Sequence, residues 1–153
     1  LERSVSRIEK DMSLILQVLN EERNLNPEWV KGDVLLLETL KDFEDELKQK
    51  KVILHVKEFY LYGDEADIKD ILYNLVSNAV KYSKSFIHIK VCKKKGDVIL
   101  IFRNDIYSLE SKGMGIGLTL LRKVVNRQGG EINIRIKNHY TVFLRLRGRE
   151  SEN

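Results

Sequence analysis

Asn74-Leu75-Val76-Ser77-Asn78-Ala79-Val80-Lys81-Tyr82-Ser83 is the most telling stretch of this chain. Asn74 and Asn78 stand four residues apart, so in a helix their side chains leave the same face one turn apart. Lys81, three residues beyond Asn78, falls on nearly the same side. Asparagine is a poor helix former because its amide competes for backbone hydrogen bonds. Two of them in an otherwise strong helical pattern point to a use for their amides. An amide oxygen suits Mg²⁺, a hard cation that takes oxygen ligands and keeps waters and phosphates in its shell. An ammonium beside it can neutralise phosphate charge. The competing reading is a polar helix face making ordinary capping contacts, and the helix alone does not choose between them.

Upstream, Gly63 turns the chain and Asp64 is a good N-cap, with Asp67 at the third helical position. The helix so begun carries Ile68, Ile71, Leu72, Leu75, Val76 and Ala79 on its apolar side and ends near Ser83. Lys51 to Lys57 reads as an apolar, β-branched strand, and Phe59 to Tyr62 as its continuation or a short partner. Val34 to Lys50 reads as a helix with Leu36, Leu37, Leu40, Phe43 and Leu47 on one side. Residues 25–32, with Pro27, read as a linker. In residues 1–24, Val5, Ile8, Met12, Ile15 and Leu19 recur at heptad spacing, the narrow seam of a helix that needs a partner, either the domain that follows or, more in keeping with such a seam, a bundle with another chain.

Downstream, Ile87, Ile89 and Val91 alternate in one strand, and Val98, Leu100 and Phe102 in the next. Lys93-Lys94-Lys95-Gly96-Asp97 between them is the tip of a hairpin. Gly113-Met114-Gly115-Ile116-Gly117-Leu118 then opens a last helix, expected over 116–127 and ended by Gly129-Gly130 in the left-handed conformation. Alternate glycines let a backbone approach a ligand closely, and the free N–H groups of a helix start favour phosphate. A flexible structural turn would also account for the run. Ile132, Ile134 and Ile136, then Val142, Leu144 and Leu146, form a closing hairpin. Strands so adjacent exclude repeated βαβ units. The expected fold class is α+β, a two-layer α/β sandwich with a mixed, mostly antiparallel sheet and helices on one face, preceded by one bundle helix.

At 153 residues, with 42% hydrophobic and 33% charged residues, the chain has the composition of a globular domain with a real core. Its formal net charge of +4 suits a phosphate-bearing ligand and equally an ordinary solvated surface. No nucleic-acid partner is expected, since no face of interleaved basic and aromatic residues stands out in the sequence. The lone Cys92 cannot form an internal disulfide and fits a reducing compartment as a packed thiol. No run approaches the roughly 20 apolar residues that span a bilayer. The chain begins with Leu and is expected to be a fragment, a cytoplasmic portion of a parent that could carry a membrane anchor elsewhere.

Taken together, residues 63–147 resemble the catalytic ATP-binding domain of sensor histidine kinases, the superfamily shared with gyrase and MutL, whose fold is of Bergerat type. Gly63-Asp64 followed by Asn74-Leu75-x-x-Asn78-Ala79-x-Lys81-Tyr82-Ser83 is similar to the family's N box. Gly113-x-Gly115-x-Gly117-Leu118 and Gly129-Gly130-Glu131-Ile132 are similar to its second glycine box and tail. Ser4 to Arg23 resembles the end of the family's dimerisation and phosphoacceptor domain, which divides the chain into residues 1–24 of a bundle, a linker at 25–32 and a catalytic domain at 33–149.

The resemblance implies Mg²⁺ and ATP as cofactors. Asn78 would be the metal ligand, with Asn74 supporting metal and phosphates one turn earlier as the second catalytic residue. Lys81 would contact phosphate and Tyr82 would line the adenine. Gly113, Gly115 and Gly117, with Leu118, would wrap the phosphates. The γ-phosphoryl would pass to a histidine upstream of Leu1, since His55, His88 and His139 fall in strands or a turn. Implied partners are ATP and ADP, a response regulator, and a second copy of the parent through the bundle.

Two departures stand out. The family's adenine-reading Asp-x-Gly-x-Gly is replaced by Arg103-Asn104-Asp105-Ile106, where Asn104 or Asp105 could serve the adenine amino group. Only residues 105–112 then separate Asn104 from Gly113, too few for the family's mobile lid, so nucleotide should bind more weakly or exchange faster. The alternative is a degenerate module without ATP binding that acts in docking and dimerisation.

Overall fold

The computed structural model describes residues 25–106 and 115–150, with 115–117 described by their backbone. The bundle helix expected in residues 1–24 and the site residue Gly113 lie outside the described residues. The elements run β1 (Pro27–Lys31), α1 (Gly32–Asp42), α2 (Glu44–Leu47), β2 (Lys51–His55), β3 (Tyr60–Asp64), α3 (Glu65–Tyr82), β4 (Phe86–Lys94), β5 (Asp97–Asn104), α4 (Gly115–Arg127), β6 (Glu131–Ile136) and β7 (Tyr140–Arg149). They build the expected α+β fold, one mixed sheet with helices packed on it.

Six of the seven strands follow the order β1-β3-β7-β5-β4-β2, and the seventh, β6, pairs with β7. Only β2 and β4 run parallel, and every other pair is antiparallel. Strand β7 is the hub. Tyr140–Arg147 pair with β5 on one edge, while β6 takes Tyr140–Arg145 and β3 takes Gly148–Arg149 on the other. Gly148 permits that second junction, because a Cβ there would collide with the Tyr60 carbonyl.

Strand alternation aims Ile87, Ile89, Val98, Leu100, Phe102, Val142, Leu144 and Leu146 at one face, and all are buried. Against them lie Ile68, Ile71, Leu72, Leu75, Val76 and Ala79 of α3, the stripe expected from periodicity, with Leu121, Val124 and Val125 of α4 and Leu36 and Leu40 of α1. Burying each large aliphatic side chain contributes about 1.5–3 kcal/mol. That packing, more than intrinsic propensity, holds α3 helical with two asparagines in it.

Several local expectations give way to tertiary packing. The segment 25–32, expected as a linker, holds β1. Val30 enters the core there, and Trp29 meets Tyr62 edge-on with ring centroids 5.2 Å apart. The helix expected over 34–50 starts at Gly32 and breaks at Phe43, whose backbone (φ −111°, ψ 19°) leaves the helix and brings its ring to 5.5 Å from Tyr73. Leu37, expected on the apolar side, is 53% exposed. The strand expected through Lys57 stops at His55, and Tyr60–Asp64 pairs with β1 and β7 and not with β2. The two left-handed glycines fall where turn chemistry places them, Gly96 (φ 82°) in the β4–β5 hairpin and Gly129 (φ 74°) after α4.

Candidate functional site

Helix α3 is pinned at both ends. At its start the Asp64 carboxylate accepts the Asp67 N–H at 3.2 Å, the capping bond expected of that residue. At its end the Lys50 ammonium donates to the carbonyls of Val80 (2.9 Å) and Ser83 (2.8 Å) and to the Ser83 hydroxyl (2.6 Å). A cation on the last carbonyls complements the helix dipole. Burial lowers the Lys50 pKa from the ordinary lysine value, and the Asp105 carboxylate acts in the opposite direction. The turn carrying Lys81 and Tyr82 is therefore fixed from outside the helix.

On that fixed helix Asn78 Nδ2 donates to Asn74 Oδ1 at 3.1 Å. Asn74 is 8% exposed, and Asn78 is half-buried. The bond occupies the nitrogen of Asn78 and orients its amide, which leaves Oδ1 as an acceptor for a hard cation. One turn on, Lys81 is exposed with its ammonium 5.5 Å from the Tyr82 ring centroid. The structure thus brings Asn74, Asn78, Lys81 and Tyr82 to one end of α3.

Helix α4 packs on α3 in a direction that one ion pair and one shared neighbour indicate. Arg127, its last residue, pairs with Asp67 in the first turn of α3. Arg122, one and a half turns earlier, and Tyr82, at the far end of α3, both act electrostatically on Tyr140. The helices run antiparallel, and at about 1.5 Å rise per residue the start of α4 lies level with the last turn of α3. Gly115 and Gly117 occupy that first turn of α4, and Leu118 packs partly buried against the core.

The two candidates for reading adenine separate. Asn104 is 1% exposed at the end of β5, where its Nδ2 donates to the Asp105 carbonyl at 2.7 Å and its amide oxygen is left as an acceptor. Asp105 turns away to the connection between α3 and β4. Its carboxylate accepts the N–H groups of Lys84 (2.9 Å), Ser85 (2.9 Å) and Phe86 (3.0 Å) and the Ser85 hydroxyl. Burial pushes this carboxyl up, but those hydrogen bonds outweigh it and hold it at about 2. Asp105 closes a turn, so of the pair Asn104 is the one whose amide oxygen accepts no hydrogen bond from the described residues.

Tyr140 escaped the sequence reading. It is the register partner of Asn104 and is 1% exposed, and its buried hydroxyl has no hydrogen-bond partner among the described residues. Burial, and then the neighbouring Tyr82, push that hydroxyl up to about 12, with Arg122 opposing. The available signal was positional, since a tyrosine at the head of the closing strand must stand beside the end of the strand it pairs with.

The donor set suits a magnesium nucleotide. It offers a free amide oxygen at Asn78, an exposed ammonium at Lys81, a glycine-bearing helix start, and a buried acceptor and hydroxyl at Asn104 and Tyr140. Two concavities among the described residues, of about 450 and 320 Å³, lie elsewhere, on the outer sheet face and between α1 and α3. Neither includes Asn78.

Residues 63–150 match the family of histidine kinase-, DNA gyrase B- and HSP90-like ATPases, and the chain belongs to that family. Within it, the relatives are histidine kinases. The histidine protein kinase SaeS of Staphylococcus epidermidis is 33% identical over 110 residues, 65% of this chain and 28% of that protein. Sporulation kinase B of Bacillus subtilis is 30% identical over 107 residues, 56% of this chain and 25% of that protein. The chain thus spans about a quarter of the length of these relatives. The Acinetobacter baumannii histidine kinase AdeS superposes with a TM-score of 0.76 over 94% of this chain and 78% of its own, and its 21% identity speaks for the fold.

Proposed function

We propose that this chain is the catalytic portion of a two-component sensor histidine kinase, binding Mg-ATP between the end of α3 and the start of α4. The γ-phosphoryl would pass to a histidine nitrogen carried by the parent protein upstream of this chain. The observation that carries the reading is the Asn74–Asn78 hydrogen bond, which presets one amide and leaves its oxygen free. Bound magnesium supplies charge neutralisation for phosphate oxygens. Asn78 holds the metal, Asn74 holds Asn78, and Lys81 meets phosphate. The amides of the first turn of α4 cradle the phosphates, and Tyr82 and Asn104 line the base. Positioning and charge stabilisation make up most of such a transfer. His55 and His88 lie on strands with their rings on the face of the sheet opposite α3, and His139 meets Phe86 edge-on there, which supports an acceptor outside this chain. A response regulator and a second copy of the parent complete the expected partners. Among the described residues no helix is long and apolar enough to cross a membrane.

Titration with Mg-ADP, followed by thermal shift and calorimetry, tests the reading beside Asn78→Ala. Ligand at a hundred times its Kd should stabilise the protein by about 2.7 kcal/mol, and Asn78→Ala should abolish most of that. Unchanged binding in the variant would sink the site assignment. A second reading, a docking and dimerisation module without nucleotide, draws on the commitment of Asp105 to a turn and on the short 105–112 connection. Absence of any shift at millimolar Mg-ADP would establish it over the first.

A further inference from the structure

The sheet face away from the helices carries a second constellation that the nucleotide site does not use. Register sets His88, Arg103, Thr141 and Arg135 in one cross-strand row and Lys90, Ile101 and Phe143 in the next. These rows and the β6–β7 turn enclose a concavity of about 450 Å³. Its walls are His88, Lys90 and Arg103 on one side and Arg135, Lys137 and His139 on the other, and Ile101 and Phe143 form its floor. No carboxylate lines it, and among the described residues none pairs with Lys90, Arg103, Arg135 or Lys137.

The two guanidinium groups are held in advance. Arg103 Cζ lies 5.9 Å from the Phe86 ring centroid with Nη2 3.5 Å from His139 Nδ1, and Arg135 Cζ lies 5.7 Å from the Phe143 centroid. Stacked guanidinium forks lose less freedom when they meet a carboxylate. Further along β7, Arg145 is neutralised by Asp97 and Glu131, each at 3.5 Å. A cationic groove with an apolar floor and no acid calls for a ligand that is both anionic and apolar.

We propose that this groove docks an acidic polypeptide segment of a partner protein, with carboxylates on its cationic walls and an apolar side chain on Ile101. The shape and the stacking select this occupant. Single-stranded nucleic acid binds on open aromatic faces, and here a guanidinium already covers Phe86 and Phe143. A flat bilayer surface does not reach the floor of a concave site. The site is separate from the nucleotide, so the proposal stands whichever way the nucleotide titration falls.

The test is fluorescence anisotropy of a short labelled peptide of alternating Glu and Phe, with an all-Glu peptide, a Lys and Phe peptide and phosphatidylserine vesicles alongside. The Glu and Phe peptide should bind saturably and more weakly as salt rises. The double reversal R103E with R135E should weaken it roughly tenfold or more, with the thermal midpoint unchanged. Should that variant not fold, the milder pair R103Q with R135Q takes its place, and Lys90→Glu with Lys137→Glu probes the same walls. Equal binding of the all-Glu peptide would overturn the role of the apolar floor. Binding that survives every wall variant, or vesicle binding without peptide binding, would overturn the proposal.

Discussion

The two ends of α3 use polar side chains in opposite ways. At the first turn the polar groups close on one another. Asp67 is wholly buried and takes Arg127 Nε at 3.0 Å, Arg127 Nη2 at 2.9 Å and the Gln128 amide. The Gln128 carbonyl in turn accepts the Asp64 N–H at 2.9 Å, and the Asp64 carboxylate accepts the Asn26 N–H at 3.1 Å. At the last turns the set is left open, with acceptors at Asn78 and Asn104 and a hydroxyl at Tyr140 that no described residue satisfies. A closed buried network serves the fold, whereas an open one makes sense only with something else in it.

Breaking the closed end should have the largest effect. Arg127→Ala removes the guanidinium paired with the buried Asp67 carboxylate, which should cost about 3–5 kcal/mol, read by urea unfolding. The nucleotide response of the protein still folded should persist, because the open end is untouched. A cost under about 1 kcal/mol would show that the network is no more than a surface ion pair and would remove the contrast.

Asp105 tests the boundary between the two ends, since it closes the turn just beyond Lys81 and Tyr82. Its folded-state carboxyl lies at about 2, below the usual unfolded value near 3.9. Its contribution is therefore present above pH ~4 and is lost as pH falls toward 2. Asp105→Asn should cost about 1–2 kcal/mol at neutral pH, the lower figure allowing for solvent screening. It should also flatten the acid limb of the stability curve between pH ~5 and 2. An unchanged acid limb would mean that other carboxylates govern acid unfolding.

How far the sequence discloses these ends differs for a physical reason. Helix α3, its Asp64 cap, its apolar stripe and the common face of its two asparagines are local, set by residues within a turn or two of each other, and they read correctly. The glycine turns at Gly96 and Gly129 are local too. What escaped depends on register between distant segments. Nothing near Trp29 announces that it will meet Tyr62, or near Asp67 that Arg127 will reach it across sixty residues. Asn104 and Asp105 could not be told apart by spacing, since strand alternation puts one inside and the end of the strand frees the other to turn. The basic outer face was missed likewise, because its cations are scattered along β4, β5 and β6 and assemble only when the strands pair.

The smallest effect sharpens the open end. Tyr140→Phe removes one buried hydroxyl and leaves the ring packing intact. An unpaired buried hydroxyl carries a desolvation cost, so the free protein should keep its stability or gain up to about 1 kcal/mol. The Mg-ADP response should weaken by at most about tenfold, since a neutral hydrogen bond is all that is lost. The two readouts move in opposite directions only if the hydroxyl faces the nucleotide. A variant less stable than the parent chain would show that the hydroxyl is satisfied within the protein. Tyr140 would then join Asp67 among the groups that hold the fold, and the open end would shrink to the two asparagine oxygens.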